Sequence, residues 1–111
     1  MARFISKQIL DFIGEFMLVV TAKIKIKPGT EQEFLDKVQP LVKGSRSEAG
    51  CISYGLYTDT EEADSFMLIE KWKNQETFDK YTASVTFKKL AENVGPLLAD
   101  KLDIHIYPTA D

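Results

Sequence analysis

The sequence is poor in the residues that most often bind metals or form covalent intermediates. It contains one cysteine and one histidine among 111 residues. A zinc or iron site built from such ligands needs three or four of them, so the sequence excludes a site of that kind. A single cysteine also excludes an intramolecular disulfide and is typical of a reducing compartment, so we predict a cytoplasmic protein.

An excess of positive charge is also missing. The chain has 14 lysines and arginines against 17 acidic residues, a net charge of -3, and the lysines are interleaved with acids. Phosphate recognition needs clustered cations, so we expect no nucleic-acid partner. There is likewise no glycine-rich phosphate loop, serine-centred elbow or dinucleotide fingerprint.

Long apolar runs are absent as well, even near the N-terminus. Within residues 1–16, apolar residues recur at nearly helical spacing, and Lys7, Gln8 and Asp11 lie between them. This pattern excludes a membrane span and indicates a short amphipathic extension that packs on the body or on a partner. Its apolar members are Phe4, Ile5, Ile9, Phe12, Ile13 and Phe16.

The remaining chain alternates between strand and helix patterns. Period-two alternation predicts strands over about 16–27, 50–57, 66–72 and 102–107, and helical spacing predicts helices over about 30–45, 74–82 and 85–94. Thr30 with Glu33 matches a capping box, Pro40 predicts a kink or break, and Asn74 or Thr77 is a cap of the next helix. We expect Ile52, Tyr54 and Leu56 to share the inward face of the second strand, and Leu102, Ile104 and Ile106 to point inward from the last.

This order, β-α-β-β-α-β, predicts an α+β domain of ferredoxin-like topology over residues 17–108. A four-stranded antiparallel sheet would carry helices on one face. The other face is too apolar to be left in water, so we predict a homodimer that forms through it. That open sheet face comprises Val19, Thr21, Ser53, Gly55, Tyr57, Met67, Ile69, His105 and Tyr107.

Aromatic residues dominate the predicted space between sheet and helices. Two readings stay open: plain core, or a pocket for a flat organic molecule with a hollow beneath Trp72. Glu70 lies two residues before Trp72 on the same face, and we predict a structural ion pair with Arg46. A Cys51–His105 dyad is disfavoured, because a lone cysteine beside a glycine is more often structural. The aromatic set is Tyr54, Phe66, Trp72, Phe78, Tyr81 and Phe87.

Four stretches carry a family resemblance: 19–29 (VVTAKIKIKPG), 46–54 (RSEAGCISY), the Glu70-Lys71-Trp72 triplet, and Ser84 with Phe87. At these residues the chain resembles the antibiotic biosynthesis monooxygenase family of dimeric α+β barrels. The resemblance implies oxidation of quinol-like or phenolic substrates by O2 without flavin or metal, hence no cofactor. It also implies that Trp72 is the pocket tryptophan.

The chain departs from the family where many members carry two histidines in the second helical region. Those positions hold Tyr81 and Thr86. The positions that resemble the asparagine and the haem-ligating histidine of haem-degrading relatives hold Val20 and Ala91, so haem degradation is not expected. Relatives that isomerise phosphorylated sugars also use histidines that this chain lacks.

We therefore predict a cofactor-independent monooxygenase with Trp72 and Tyr81 as catalytic residues and a small aromatic or hydrophobic substrate. One alternative is a non-catalytic module that binds a hydrophobic metabolite in the same pocket. Another is an interaction protein that recruits a partner through its N-terminal segment. The predicted substrate-binding residues are Val20, Tyr54, Phe66, Phe78, Phe87 and Leu90.

Overall fold

The computed structural model describes residues 16–109. Strand β1 (Met17–Lys25) leads to helix α1 (Glu31–Arg46), and strands β2 (Cys51–Thr58) and β3 (Ser65–Trp72) form a hairpin. Helices α2 (Gln75–Thr82) and α3 (Val85–Val94), a 3-10 turn (Gly95–Leu97) and strand β4 (Asp103–Thr109) complete the fold. The predicted N-terminal extension, apart from Phe16, lies outside the described residues.

The four strands form one antiparallel sheet in the order β2-β3-β1-β4, which confirms the predicted ferredoxin-like α+β class. Strands β2 and β4 are the two edge strands, so Cys51 and His105 lie at opposite edges of the sheet. No helix within residues 16–109 is both long and apolar enough to cross a membrane.

Alternation along the two central strands produces the core. In β1, Leu18, Val20, Ala22 and Ile24 are buried, whereas the residues between them are half-buried or exposed. In β3 the inward residues are Phe66, Leu68, Glu70 and Trp72, as predicted. Successive side chains of a strand point to opposite faces, so one face of each strand packs beneath the helices.

Helix α1 begins and continues differently from the prediction. Thr30 precedes the helix, but its hydroxyl donates to the carbonyl of Lys27 instead of capping a helical N–H, so the predicted capping box with Glu33 is not formed. The helix runs through Pro40 without a break. Its buried residues are Phe34, Val38, Val42 and Ser45, which recur at helical spacing.

The N-termini of α2 and α3 are capped by side chains. The Asn74 side chain accepts a hydrogen bond from the backbone N–H of Thr77, and the Thr77 hydroxyl interacts with the backbone N–H of Asn74, which completes a capping box. Ser84 accepts from the N–H of Phe87 at 3.1 Å. These caps satisfy N–H groups that have no partner within the helix.

One prediction about strand faces is wrong, and one strand whose inward face was predicted is poorly covered. A bulge between Cys51 and Ser53 removes Ile52 from the alternation, and the Ile52 side chain is 56% exposed. Ile104 and Ile106 pair with the buried Ala22 and Val20, so they lie on the inward face as predicted, but they and Leu102 are 41–49% exposed. Because β4 is an edge strand and the helices pack over the centre of the sheet, these side chains are only partly covered; Leu102 lies beside α3.

Candidate functional site

A buried carboxyl group lies in the aromatic core. Glu70 of β3 is 5% exposed, and its Oε1 accepts a hydrogen bond of 2.9 Å from the indole Nε1 of Trp72. Both side chains share the inward face because they are two residues apart on one strand. A buried carboxyl without such a partner would be strongly unfavourable, so the indole makes this position tolerable.

Trp72 is completely enclosed by other side chains. Its ring stacks on that of Tyr81 at a centroid distance of 4.6 Å, and it meets Tyr54 edge to face at 6.5 Å. Phe78 lies 6.0 Å away on another side. The predicted hollow beneath Trp72 is therefore filled by the chain's own rings.

A row of three hydroxyl groups lies beside Glu70. The hydroxyls of Tyr54 and Tyr81 are 2.9 Å apart, and that of Tyr81 is 2.9 Å from Ser45 Oγ. Ser45 in turn donates to the carbonyl of Leu41, one helical turn earlier, at 2.8 Å. Strand β2, helix α2 and helix α1 each supply one hydroxyl to this row.

The surroundings shift the proton affinities of these groups. Burial raises the pKa of Glu70 to about 7, and hydrogen bonds from Trp72 and Tyr54 partly offset that rise. Burial is also the main cause that raises the pKa of Tyr54 and of Tyr81, and the Glu70 charge adds to both. Glu70 is therefore a carboxyl group that can exchange a proton near neutral pH, whereas both tyrosines stay protonated there.

An apolar pocket of about 270 Å³ lies between α3 and the sheet, next to this cluster. Every residue in its wall is apolar or glycine. Its lining comprises Ala22, Ile24, Leu68, Phe87, Leu90, Ala91, Val94, Gly95, Leu98 and Leu102.

Phe87 connects the pocket with the buried cluster. It lines the pocket and meets the ring of Tyr81 edge to face at a centroid distance of 5.4 Å. Leu68 of the pocket floor precedes Glu70 by one inward position, which corresponds to about 7 Å along a strand. Glu70 is therefore the next inward residue along β3 from the pocket floor.

The structure divides the predicted site residues into three groups. Phe87 and Leu90 line the pocket. Trp72 and Tyr81, predicted as catalytic, lie in the filled cluster behind it. The other predicted substrate-binding residues are buried and do not line this pocket; they are Val20, Tyr54, Phe66 and Phe78.

The predicted ion pair between Arg46 and Glu70 does not form. Arg46 is exposed, and its Nε donates to the backbone carbonyl of Tyr54 at 2.8 Å. The carboxyl of Glu70 instead bonds to the indole of Trp72. The arginine still ties α1 to β2, but it leaves Glu70 without a cation that would lower its pKa.

Sequence reasoning missed Ser45 and most of the pocket wall. Ser45 follows Phe34, Val38 and Val42 at helical spacing, so a polar residue at an inward position was the available signal. The wall residues that follow α3, such as Leu98, carry no such signal because irregular chain has no period. Among residues 16–109 there is also no cluster of three or more His, Cys, Asp or Glu side chains that could hold a metal ion.

Comparison with known proteins identifies the family of this chain. The pattern of the antibiotic biosynthesis monooxygenase family matches residues 17–93. The chain belongs to that family. This confirms the resemblance inferred from the sequence, and the family description supports a monooxygenase function in general terms.

Two curated relatives of this family member are informative. One is YcnE of Bacillus subtilis, provisionally named a monooxygenase, which is 34% identical over 88 residues, or 79% of this chain and 93% of the relative. The other is an uncharacterized protein of Synechocystis, 38% identical over 94 residues, or 85% of this chain. The match spans only 64% of the length of the Synechocystis protein.

Solved structures support the fold of this family member. A conserved protein of Methanosarcina mazei is 30% identical, with a TM-score of 0.80, over 88% of this chain and 97% of that one. A Caulobacter crescentus protein provisionally named an antibiotic biosynthesis monooxygenase has a TM-score of 0.83 at 21% identity, over 88% and 93% of the two chains. At 21% identity the likeness concerns the fold alone.

Proposed function

We propose that this chain is a monooxygenase that oxidises a small quinol- or phenol-like substrate with O2, without flavin or metal. The observation that carries the proposal is the apolar pocket with the buried carboxyl of Glu70 one inward position along β3 from its floor. Ligand pockets are usually about 300–1,000 Å³, so this one, at about 270 Å³, lies just below that range and suits a substrate of one or two rings.

Glu70 is the proton acceptor in this proposal. The phenolic O–H bond breaks, the proton moves to the Glu70 carboxylate, and the electron-rich anion reduces O2. One oxygen atom enters the substrate and the other leaves as water, so the substrate supplies both electrons. A base with a pKa near the working pH is effective in such a step, and the two histidine positions of the family hold Tyr81 and Thr86 here.

The aromatic residues then have separate roles. Phe87 stands between the pocket and the cluster, so its ring must turn aside for the substrate hydroxyl to reach Glu70. Trp72 holds the carboxylate through its N–H and excludes water from it. In this proposal Trp72 and Tyr81 act on the proton acceptor, whereas Phe87 and Leu90 bind the substrate.

Oxygen uptake tests the proposal directly. A panel of quinols and anthrones is supplied to protein freed of flavin and metals, and O2 consumption and product mass are recorded. We expect turnover, and a loss of about 10²- to 10⁴-fold in Glu70→Gln, since general base catalysis contributes that much. Glu92→Gln makes the same chemical change on the exposed side of α3 and should retain the wild-type rate.

Two results would contradict the proposal. One is no uptake above a Trp72→Phe control with any member of the panel. The other is a Glu70→Gln variant that turns substrate over as fast as the Glu92→Gln control.

A second candidate function is a non-catalytic module that binds a hydrophobic metabolite. The specific observation in its favour is that no polar side chain lines the pocket, so nothing in the wall itself would orient a reacting group. Saturable binding of the same quinols in calorimetry, with no product in the mixture, would favour this candidate over the enzyme.

We also propose that two copies pair through the open sheet face. Tyr57 and Tyr107 on that face are 55% and 51% exposed, which is unfavourable for side chains of this size in water. Analytical ultracentrifugation should give a dimer at micromolar concentration. Tyr107→Asp should weaken it, whereas Val85→Asp, at a 68% exposed position at the start of α3, should not. A wild-type monomer would contradict this part.

A further inference from the structure

The three buried hydroxyls can be connected by hydrogen bonds in two ways. Each hydroxyl has one hydrogen to donate and can accept as well. In the first arrangement, Tyr54 donates to Tyr81, Tyr81 donates to Ser45, and Ser45 donates to the Leu41 carbonyl. In the second, the two hydroxyl–hydroxyl bonds are reversed: Ser45 donates to Tyr81 and gives up its bond to the Leu41 carbonyl, and Tyr81 donates to Tyr54.

The second arrangement leaves the Tyr54 hydrogen free to point toward Glu70. Tyr54 and Glu70 are directly opposite each other in the β2–β3 ladder, so their side chains are neighbours on the inward face. The Tyr54 hydroxyl bonds to Tyr81 in the structure, and a hydrogen bond from Tyr54 to Glu70 acts to lower the pKa of that carboxyl. An ionised carboxylate accepts hydrogen bonds only, so it favours this arrangement.

We propose that Ser45, Tyr81 and Tyr54 form a reversible hydroxyl relay whose donor direction follows the protonation of Glu70. When Glu70 is protonated, the relay points away from it and ends at the Leu41 carbonyl. When Glu70 is ionised, the hydroxyls rotate, the relay points toward it, and the buried charge gains a donor. The relay concerns the protein without substrate, so only its significance for catalysis rests on the proposed function.

No covalent bond changes within the relay itself. The three groups keep their own hydrogens and only rotate, since their partners are already 2.9 Å apart in either direction. Ser45 and Tyr81 are almost fully buried, so the row has no outlet to solvent and cannot export a proton. They are therefore positioning residues that act on Glu70 through Tyr54.

Few other charged or titratable groups face Glu70. Strand β2 presents Tyr54 and Cys51, and α2 presents Tyr81. Burial and the Glu70 charge raise the pKa of the Cys51 thiol. Strand β1 presents the apolar Val20, and α1 presents Ser45. Beyond Ser45, Arg46 bonds to the Tyr54 carbonyl. The charges of Arg46 and Glu48 influence the pKa of Cys51, which Arg46 lowers and Glu48 raises. No cation competes with the relay for the carboxylate among these neighbours.

The relay predicts pKa shifts of opposite sign. Tyr81→Phe removes the acceptor that Tyr54 uses when it points away, so Tyr54 must donate to Glu70 and the pKa of Glu70 falls. Ser45→Ala removes the acceptor of Tyr81 and biases the row in the same direction. Tyr54→Phe removes the donor itself, so the pKa of Glu70 rises.

The measurement is a carbon-13 NMR titration of the glutamate carboxyl signals, with Glu70 assigned from the signal lost in Glu70→Gln. We expect shifts of about one unit, a tenfold change in proton affinity, because one hydrogen bond to the carboxylate is gained or lost. Phe78→Leu alters a neighbouring ring without a hydroxyl and should leave the pKa of Glu70 unchanged.

Each outcome is decisive for the relay. A fall in Tyr81→Phe and Ser45→Ala together with a rise in Tyr54→Phe supports it. Shifts of one sign in all three variants, or no shift, would overturn it. If Tyr81→Phe does not fold, the small change Ser45→Ala and Tyr54→Phe still give the two signs.

The proposed function can fail separately. Opposite shifts without O2 uptake would leave the relay standing in a protein that is not an oxygenase. Turnover of a quinol with shifts of one sign would leave an enzyme whose base is not controlled by the relay.

Discussion

The indole Nε1 of Trp72 and the carboxyl Oε1 of Glu70 are joined by a 2.9 Å hydrogen bond in a part of the core that solvent does not reach. Both residues come from the same face of β3, so the strand itself determines their relationship. The bond makes the stability of this core depend on the ionisation of one carboxyl group. The first two predictions follow from it.

Trp72→Phe should destabilise the protein more at pH 8 than at pH 5. At pH 8 the substitution leaves an ionised Glu70 without its donor, and we expect a loss of about 3 kcal/mol in the free energy of unfolding, against about 1 kcal/mol at pH 5. Urea denaturation followed by circular dichroism measures both, since the variant has no tryptophan left to report fluorescence. Phe78→Leu should give equal losses at the two pH values; a similar pH dependence there would contradict the prediction.

Stability should fall as pH rises through neutrality because of Glu70. Burial raises the pKa of Glu70 from 4.5 to about 7, so between these values the folded state binds more protons than the unfolded state. The stabilisation is fully present below about pH 4.5 and is lost as pH rises through about 7, with a total of about 3 kcal/mol.

Glu70→Gln is the matched control for that pH dependence. Glutamine has nearly the same shape and can accept the Trp72 hydrogen bond, but it does not titrate. Chemical denaturation between pH 4.5 and 9 should therefore give a flatter profile for the variant. Parallel profiles for the two proteins would mean that Glu70 is not the group responsible.

Gly50→Ala should be considerably more destabilising than Gly29→Ala. Both glycines have positive φ, 82° and 83°, so both alanines carry a conformational cost of about 1–2 kcal/mol. A Cβ at Gly50 would also lie 2.3 Å from Thr77 Cβ in the capping box of α2, whereas nothing lies within 4 Å of one at Gly29.

The difference between the two glycine variants isolates the steric contact. We expect it to be about 1–3 kcal/mol, the usual range for overpacking, in urea denaturation. Since α2 carries Tyr81, Gly50→Ala should also displace the Tyr54–Tyr81 pair, which near-ultraviolet circular dichroism would detect. Equal losses in both variants would count against the close approach of Thr77.

Ala91→Trp should block the pocket. Ala91 lies in the pocket wall on α3, and an indole there would occupy much of the 270 Å³. We expect binding of 1,4-naphthalenediol, measured by calorimetry, to weaken by about tenfold or more, since the added bulk costs about 1–3 kcal/mol to accommodate.

Asn93→Trp provides the control for this substitution. Asn93 is exposed on the same helix and does not line the pocket, so the same bulk there should leave affinity unchanged. If both variants bind as tightly as the wild type, the ligand must occupy another place.

The central strands illustrate how far sequence patterns reach. Leu18, Val20 and Ala22 alternate with more polar residues in β1, and this period of two is enough to predict which side is buried. The prediction failed at Ile52 because a bulge is a mismatch between two strands, and neither strand alone encodes it. At Ile104 and Ile106 the predicted face is correct, but these residues are exposed because coverage of a strand depends on where the helices pack.

For this protein, the sequence by itself determined the order of strands and helices and the antiparallel sheet, because these follow from periodicity and local turn chemistry. It also determined the aromatic composition of the core, and it indicated the family through the motifs that resemble those of other members. Only the tertiary structure decided that Trp72 holds Glu70, that Ser45 joins two tyrosines, and that the open pocket lies beside Phe87 and Leu90. The physical reason is that distances between side chains from different elements, and the space left between them, depend on packing across the whole domain.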